Sequence, residues 1–373
     1  PGAGDAVFQT PAPTICVDEG DTVQITFTTP DGWPLFPSGS GVDTPVSLVF
    51  PGQPVQASGG SPGALTNESS GGDSVTYTFE AAAGTYLYGS GTDMARQNAM
   101  GMYGTLVVYP TDGQSAYGPG TNTEFDQERE FLLVLHSVDP LEHQTMETWS
   151  SSDPFSYTPT SSTKPGFTGT FDPAGTLRHP RYWTINGRSM PDTILPNRSP
   201  LLPSQPYGAL VHVEAQDPDG PGGVGLPALV RYANASLDNH SFHPHGNHLR
   251  LLAQDGMPLG LGDGLEQFTS NLGSGQTFDM AVEWLNTTDF DAGLNPSPGE
   301  LPGPNNGVYK DDVTHYSGSP YLGQTDDLPG GVTSHNECGE YYFPGHSHSL
   351  NEVQNFNEGF GGMLTLWRVD PVG

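Results

Sequence analysis

Two cysteines, Cys16 and Cys338, are all that the 373 residues contain, so neither a disulfide framework nor a cysteine-rich zinc site is available. They lie in different halves of the chain, and a bridge between them is neither required nor forbidden by spacing. Lysine is equally scarce, with Lys164 and Lys310 alone; Lys and Arg total 11 against 42 Asp and Glu, for a formal charge of −31. Phosphate recognition needs clustered cations, which excludes nucleic acid as a partner. The acidic surface serves solubility or the concentration of cations, and composition does not separate the two. Long apolar runs are also missing, so no membrane span is expected. The opening "PGAGDAVFQT" lacks the basic and apolar regions of a signal peptide, as in a mature product whose leader has been removed. Helix-period apolar stripes are absent as well.

What is abundant is glycine, 50 residues, and proline, 36, both of which weaken helix interiors and populate turns. The expectation is an all-β protein. Alternation of period two marks strands at Val23, Ile25 and Phe27 in "TVQITFTT" and at Val75, Tyr77 and Phe79 in "SVTYTF". The length exceeds a single core, which predicts two domains: residues 1–112, a linker at 113–125, and residues 126–373. A faint duplication supports this division. "GTYLYGSGTD" followed by "MYGTLVV" in the first half is matched by "GEYYFPGHSHS" followed by "GGMLTLWRV" in the second. Both halves therefore read as β-sandwiches, with long polar insertions near residues 150–175, 215–227 and 285–335.

Of 12 histidines, four fall within "HSFHPHGNH" at residues 240–248. Side chains alternate faces along a strand, so His243 and His245 point the same way, roughly 6 to 7 Å apart, and His346 and His348 repeat that arrangement. Should the two strands be neighbours, four imidazoles converge. Neutral imidazole is the commonest nitrogen ligand for copper and zinc. His240 has the opposite parity and faces the other side, together with Ser347. The competing reading is that the rings are satisfied by backbone hydrogen bonds and water.

The segments "HSFHPHG", "HSH", "YWTINGRSMPDT", "SGQTFDM" and "GGMLTLWRV" resemble the copper-binding cupredoxin domain of multicopper oxidases, and "PTICVDEGDTV", "GTYLYGSGT" and "MGMYGTLVVYP" resemble the family's first domain. The resemblance implies two cupredoxin-like Greek-key β-sandwich domains and copper as cofactor, with zinc also compatible with the ligand type. It implies metal ligation by His243, His245, His346 and His348, and by His240 at a second, blue copper position on the opposite face. That second position departs from the family: Ser347 replaces the thiolate and Glu352 replaces a histidine. In the first half, Val46, Pro51 and Gly89 stand where family members carry histidines. The expected protein is thus a secreted multicopper-oxidase-like copper binder, extracellular, periplasmic or at the cell surface, whose oxidase activity is reduced or lost. A homotrimer is implied by two-domain members.

The alternative is a non-catalytic structural protein of an extracellular layer or fibre built on the same scaffold. The acidic runs "DPDGPGG" and "YKDDVTH" follow no calcium-ligand spacing, and Asn67, Asn234, Asn239 and Asn286 open common N-x-S/T triplets. No Ser-His-Asp elbow, phosphate loop or dinucleotide fingerprint is present.

Overall fold

The structure is a computed structural model that describes residues 8–31, 45–143, 179–216, 223–260, 265–285, 340–356 and 358–370, with short strand pairs at 306–309 with 313–316 and 326–327 with 335–336. Cys338, most of the acidic runs and most of the three expected insertions lie outside the described residues.

Alternation in the sequence becomes alternation in burial. The strand Ser74–Glu80 turns Val75, Tyr77 and Phe79 inward at 0%, 0% and 3% exposure. It pairs antiparallel with Thr22–Thr28, register Val23↔Phe79, Ile25↔Tyr77 and Phe27↔Val75, so the apolar residues of both strands share one face. Gln56–Gly59 completes that three-stranded sheet. Opposite stands a four-stranded sheet, in the order Ile15–Asp18, Tyr103–Tyr109, Gly84–Ser90, Leu48–Val49. Phe50, Tyr88, Leu106 and Val108 fill the space between them.

The second pair of sheets is larger. One runs Tyr182–Ile185, Glu130–Val138, Ala228–Asn234, Thr277–Val282, Leu249–Gln254, Met257–Pro258, with Leu265–Gln267 also paired to Leu249–Gln254. The other runs Val211–Glu214, Leu364–Asp370, Tyr341–Ser347, His240–Pro244, Ser270–Leu272. Trp367, Tyr232, Phe242 and Met280 lie in the core between them. Met94–Ala99 is α-helical, capped at its start by Asp93, whose side chain accepts from the Arg96 amide, and residues 140–143 are helical as well.

Ala228–Asn234 and Thr277–Val282 are buried along their whole length. A strand covered on both faces reads as a continuous apolar run, here interrupted by Arg231 and Asp279. Their outer faces meet the first pair of sheets, Ala233 packing with Tyr103. The Thr85 hydroxyl donates to Asp279 at 2.8 Å and accepts from Arg231 Nη1 at 2.8 Å. Tyr117 OH also donates to Asp279. The segment read as a linker is therefore packed into this junction, with Ala116 and Phe125 at 0% exposure.

Candidate metal centre

Two neighbouring strands carry the histidines. His240–Pro244 pairs antiparallel with Tyr341–Ser347 in the register Phe242↔Ser347, His243↔His346, Pro244↔Gly345. Burial alternates along the first strand, with His240, Phe242 and Pro244 inside and Ser241 and His243 outside. The register places His243 opposite His346 on the outer face, and it places Ser347 on the inner face beside Phe242. His245 follows on the same side as His243, its amide donating to the Pro344 carbonyl.

Four rings gather on that outer face. Ring centroids lie 5.0 Å apart for His243 and His245, 5.0 Å for His245 and His346, 5.5 Å for His243 and His346, and 4.9 Å for His243 and His348. His243, His245 and His346 each offer one ring nitrogen such that all three lie within 4.8 Å of one another. His348 stands at the solvent edge, its ring perpendicular to that of His243.

Hydrogen bonds determine which nitrogens are free. His243 Nδ1 donates to the Phe268 carbonyl, with the Thr269 hydroxyl at 3.1 Å, and His346 Nδ1 donates to the Ser347 carbonyl at 2.7 Å. A carbonyl can only accept, so both rings carry their proton on Nδ1 and leave the Nε2 lone pair outward. His245 Nε2 and His346 Nε2 are 3.0 Å apart. Nitrogens bound at about 2.0 to 2.1 Å to one ion are separated by roughly 3 Å, so this pair is already at ligand spacing.

Burial and crowding favour the neutral form of His245 and His346. Burial, reinforced by the neighbouring imidazoles of His346, His243 and His348, pushes His245 down to about 4. Burial also lowers His346, against the opposing effect of its bond to the Ser347 carbonyl. Neutral imidazole is the form that ligates a metal.

The remaining candidates are dispersed. His240 is on the inner face at 0% exposure, bonded through Nδ1 to Glu352 at 2.8 Å. His248 is separated from the cluster by the Phe268 ring, which meets His248 at 5.5 Å and His243 at 5.8 Å. His136 packs against Tyr103 with the rings tilted by 40°, His143 contacts the Ala99 carbonyl, and His212 pairs with Asp370. In the first half, the positions that the resemblance sets against the family's ligands carry Val46, Pro51 and Gly89. Val46 is buried, and a Cβ on Gly89 would meet Asn98 Oδ1 at 2.7 Å. A hydroxyl and amide network fills the space around them: Ser47 bonds Thr92 at 2.8 Å, Ser90 donates to Gln97 at 2.5 Å, and the Ser90 amide donates to Asn98 at 2.8 Å.

Phe268 and Thr269 are the functional neighbours that sequence reasoning missed. A backbone carbonyl acts whatever side chain it carries, so no residue pattern marks it.

Residues 8–113 match the family model described as multicopper oxidase. The first pair of sheets is multicopper-oxidase-like. A search of the curated proteins finds no match. Among solved structures, the chain is similar to a blue copper oxidase from Nitrosomonas europaea at 18% identity and TM-score 0.53, covering 97% of this chain and 77% of that one. It is similar also to the multicopper oxidase mgLAC at 17% identity and TM-score 0.52, with the same 97% and 77% coverage. These likenesses show the cupredoxin-type fold across both pairs of sheets.

Proposed function

We propose that this chain is an exported multicopper-oxidase-like protein that binds copper through His243, His245 and His346, with His348 completing the shell, and that its oxidase turnover is reduced or lost. The 3.0 Å approach of two Nε2 atoms, in rings of which one is tied back through Nδ1, carries this reading. His346 Nε2 can only accept, so a neutral His245 spans the gap by donating its Nε2–H, and a divalent ion that displaces this proton meets two nitrogens already at ligand spacing. Copper is favoured over zinc by the likeness to multicopper oxidases, because imidazole geometry suits both. When bound, copper supplies one-electron redox chemistry; the residues orient it, with Phe268 and Thr269 fixing His243 and the Ser347 carbonyl fixing His346.

Loss of turnover follows from what surrounds the cluster. Ser347 offers no thiolate through which a blue copper centre would pass electrons, and the first half presents Val46, Pro51 and Gly89 in place of imidazoles. The trimer expected of two-domain relatives belongs to the same proposal and is checked by light scattering.

Metal content and the electronic spectrum of tag-free protein test the reading together. Copper-loaded protein is expected to hold at least about one equivalent, without an intense blue band, and to lose it in a His245→Ala, His346→Ala variant. Less than about a tenth of an equivalent of any transition metal would leave the assembly-protein alternative in its place. Oxygen consumption with phenolic or cuprous donors, equal in the natural and variant proteins, is the result expected of a protein without turnover.

A further inference from the structure

The likeness to multicopper oxidases implies a second copper position on the inner face, formed by the residues at 240, 347 and 352. The residues present do not fit it. His240 Nδ1 donates to Glu352 Oε2 at 2.8 Å, and Ser347 Oγ donates to the same oxygen at 2.5 Å. His240 and Ser347 are at 0% exposure and Glu352 at 6%. The nitrogen and hydroxyl that face the position are therefore hydrogen-bond donors, with protons where a metal needs lone pairs. His240 Nε2 is buried without a partner.

We infer that the Glu352 carboxylate takes the place of the ion, as a metal-free clamp. Two donors from two strands converge on one carboxylate oxygen that comes from the turn Leu350–Val353, so three segments are joined at a buried point. The clamp sets the orientation of Ser347. Because faces alternate along a strand, holding Ser347 inward holds His346 and His348 outward. Glu352 and Ser347 are thus positioning residues for the outer cluster. This second role rests on the proposed metal site, whereas the metal-free character of the inner position does not.

Full-length variants decide both parts. With the outer cluster removed by His243→Ala, His245→Ala, His346→Ala and His348→Ala, the chain, shown to be folded by circular dichroism, is titrated with Cu(II) and separately with Zn(II). Binding below about a tenth of an equivalent is expected; a full equivalent that disappears on adding His240→Ala overturns the clamp. In the reverse direction, Ser347→Cys with Glu352→His restores a thiolate and an imidazole, and an intense thiolate-to-copper absorption is expected. A folded double variant that stays colourless with copper would show that the carboxylate does not stand at an ion's position. For the positioning role, Glu352→Leu is expected to weaken copper binding at the outer cluster by about 10- to 100-fold and to change its electron paramagnetic resonance spectrum. Glu352→Gln, which keeps an acceptor oxygen, is expected to recover most of that affinity. Unchanged affinity and spectrum in a folded Glu352→Leu protein overturns the role. If the natural outer cluster binds no metal, the proposed function fails, and the first two arms still decide the clamp.

Discussion

His245 carries the plainest consequence of crowding. Its folded value near 4 lies below the ordinary histidine value of 6.5, and the causes are burial first and the adjoining imidazoles second. Between those two values the unfolded chain binds the extra proton and the folded chain does not. Stability of the metal-free protein is therefore full above about pH 6.5, declines as pH falls toward about 4, and gains no further penalty from this ring below that. Thermal midpoints measured from about pH 7 to about pH 4.5 should fall less steeply in His245→Ala than in the natural chain. Parallel declines in the two proteins would contradict the argument. The parity of each histidine was legible in the sequence, since period two alone sorts His243 and His245 from His240. Which ring nitrogen is free was not, because it depends on the carbonyls of Phe268 and Ser347.

At the scale of the strand pair, the site depends on a glycine. Gly345 faces Pro244 across the register, and a Cβ built on it would meet Trp367 Nε1 at 2.2 Å and Cδ1 at 2.7 Å. Trp367 is at 0% exposure and is held in the central core, so the indole has nowhere to withdraw. Gly345→Ala is expected to destabilise the fold by about 1 to 3 kcal/mol in urea unfolding, as overpacked cores do. Because Gly345 adjoins His346, the same variant should weaken metal binding; full stability together with full affinity would refute the packing argument. The neighbouring strands Thr22–Thr28 and Ser74–Glu80 were readable as strands from their own alternation. That His240–Pro244 lies beside Tyr341–Ser347 follows instead from sheet topology, about a hundred residues apart in sequence, and local pattern carries no such information.

The whole molecule is joined by a buried polar junction between the two pairs of sheets. Arg231 and Asp279, each with 1% side-chain exposure, meet at 3.3 Å, and Thr85 from the first pair of sheets bonds both. Burial raises the Asp279 carboxyl, opposed by the Arg231 guanidinium and by hydrogen bonds from Tyr117 and Thr85. Arg231 keeps Glu130, which accepts from its Nε, so Asp279→Ala chiefly leaves Nη1 and the Tyr117 and Thr85 hydroxyls without their buried acceptor and is expected to cost about 1 to 3 kcal/mol. Calorimetry is then expected to resolve two transitions in the variant and one in the natural protein. A loss below about 1 kcal/mol with a single transition would show that the junction does not couple the halves.

The sequence by itself determined the all-β class, the doubling of the sandwich and the face on which each histidine stands, because each of these is a periodicity or a repeat written along the chain. Tertiary structure alone decided that the two histidine pairs meet, that a carboxylate gathers His240 and Ser347, and that the stretch read as a linker is packed at the junction. Those outcomes depend on strand order and on donors and acceptors brought together from distant positions, and residue order along one strand does not encode its neighbour.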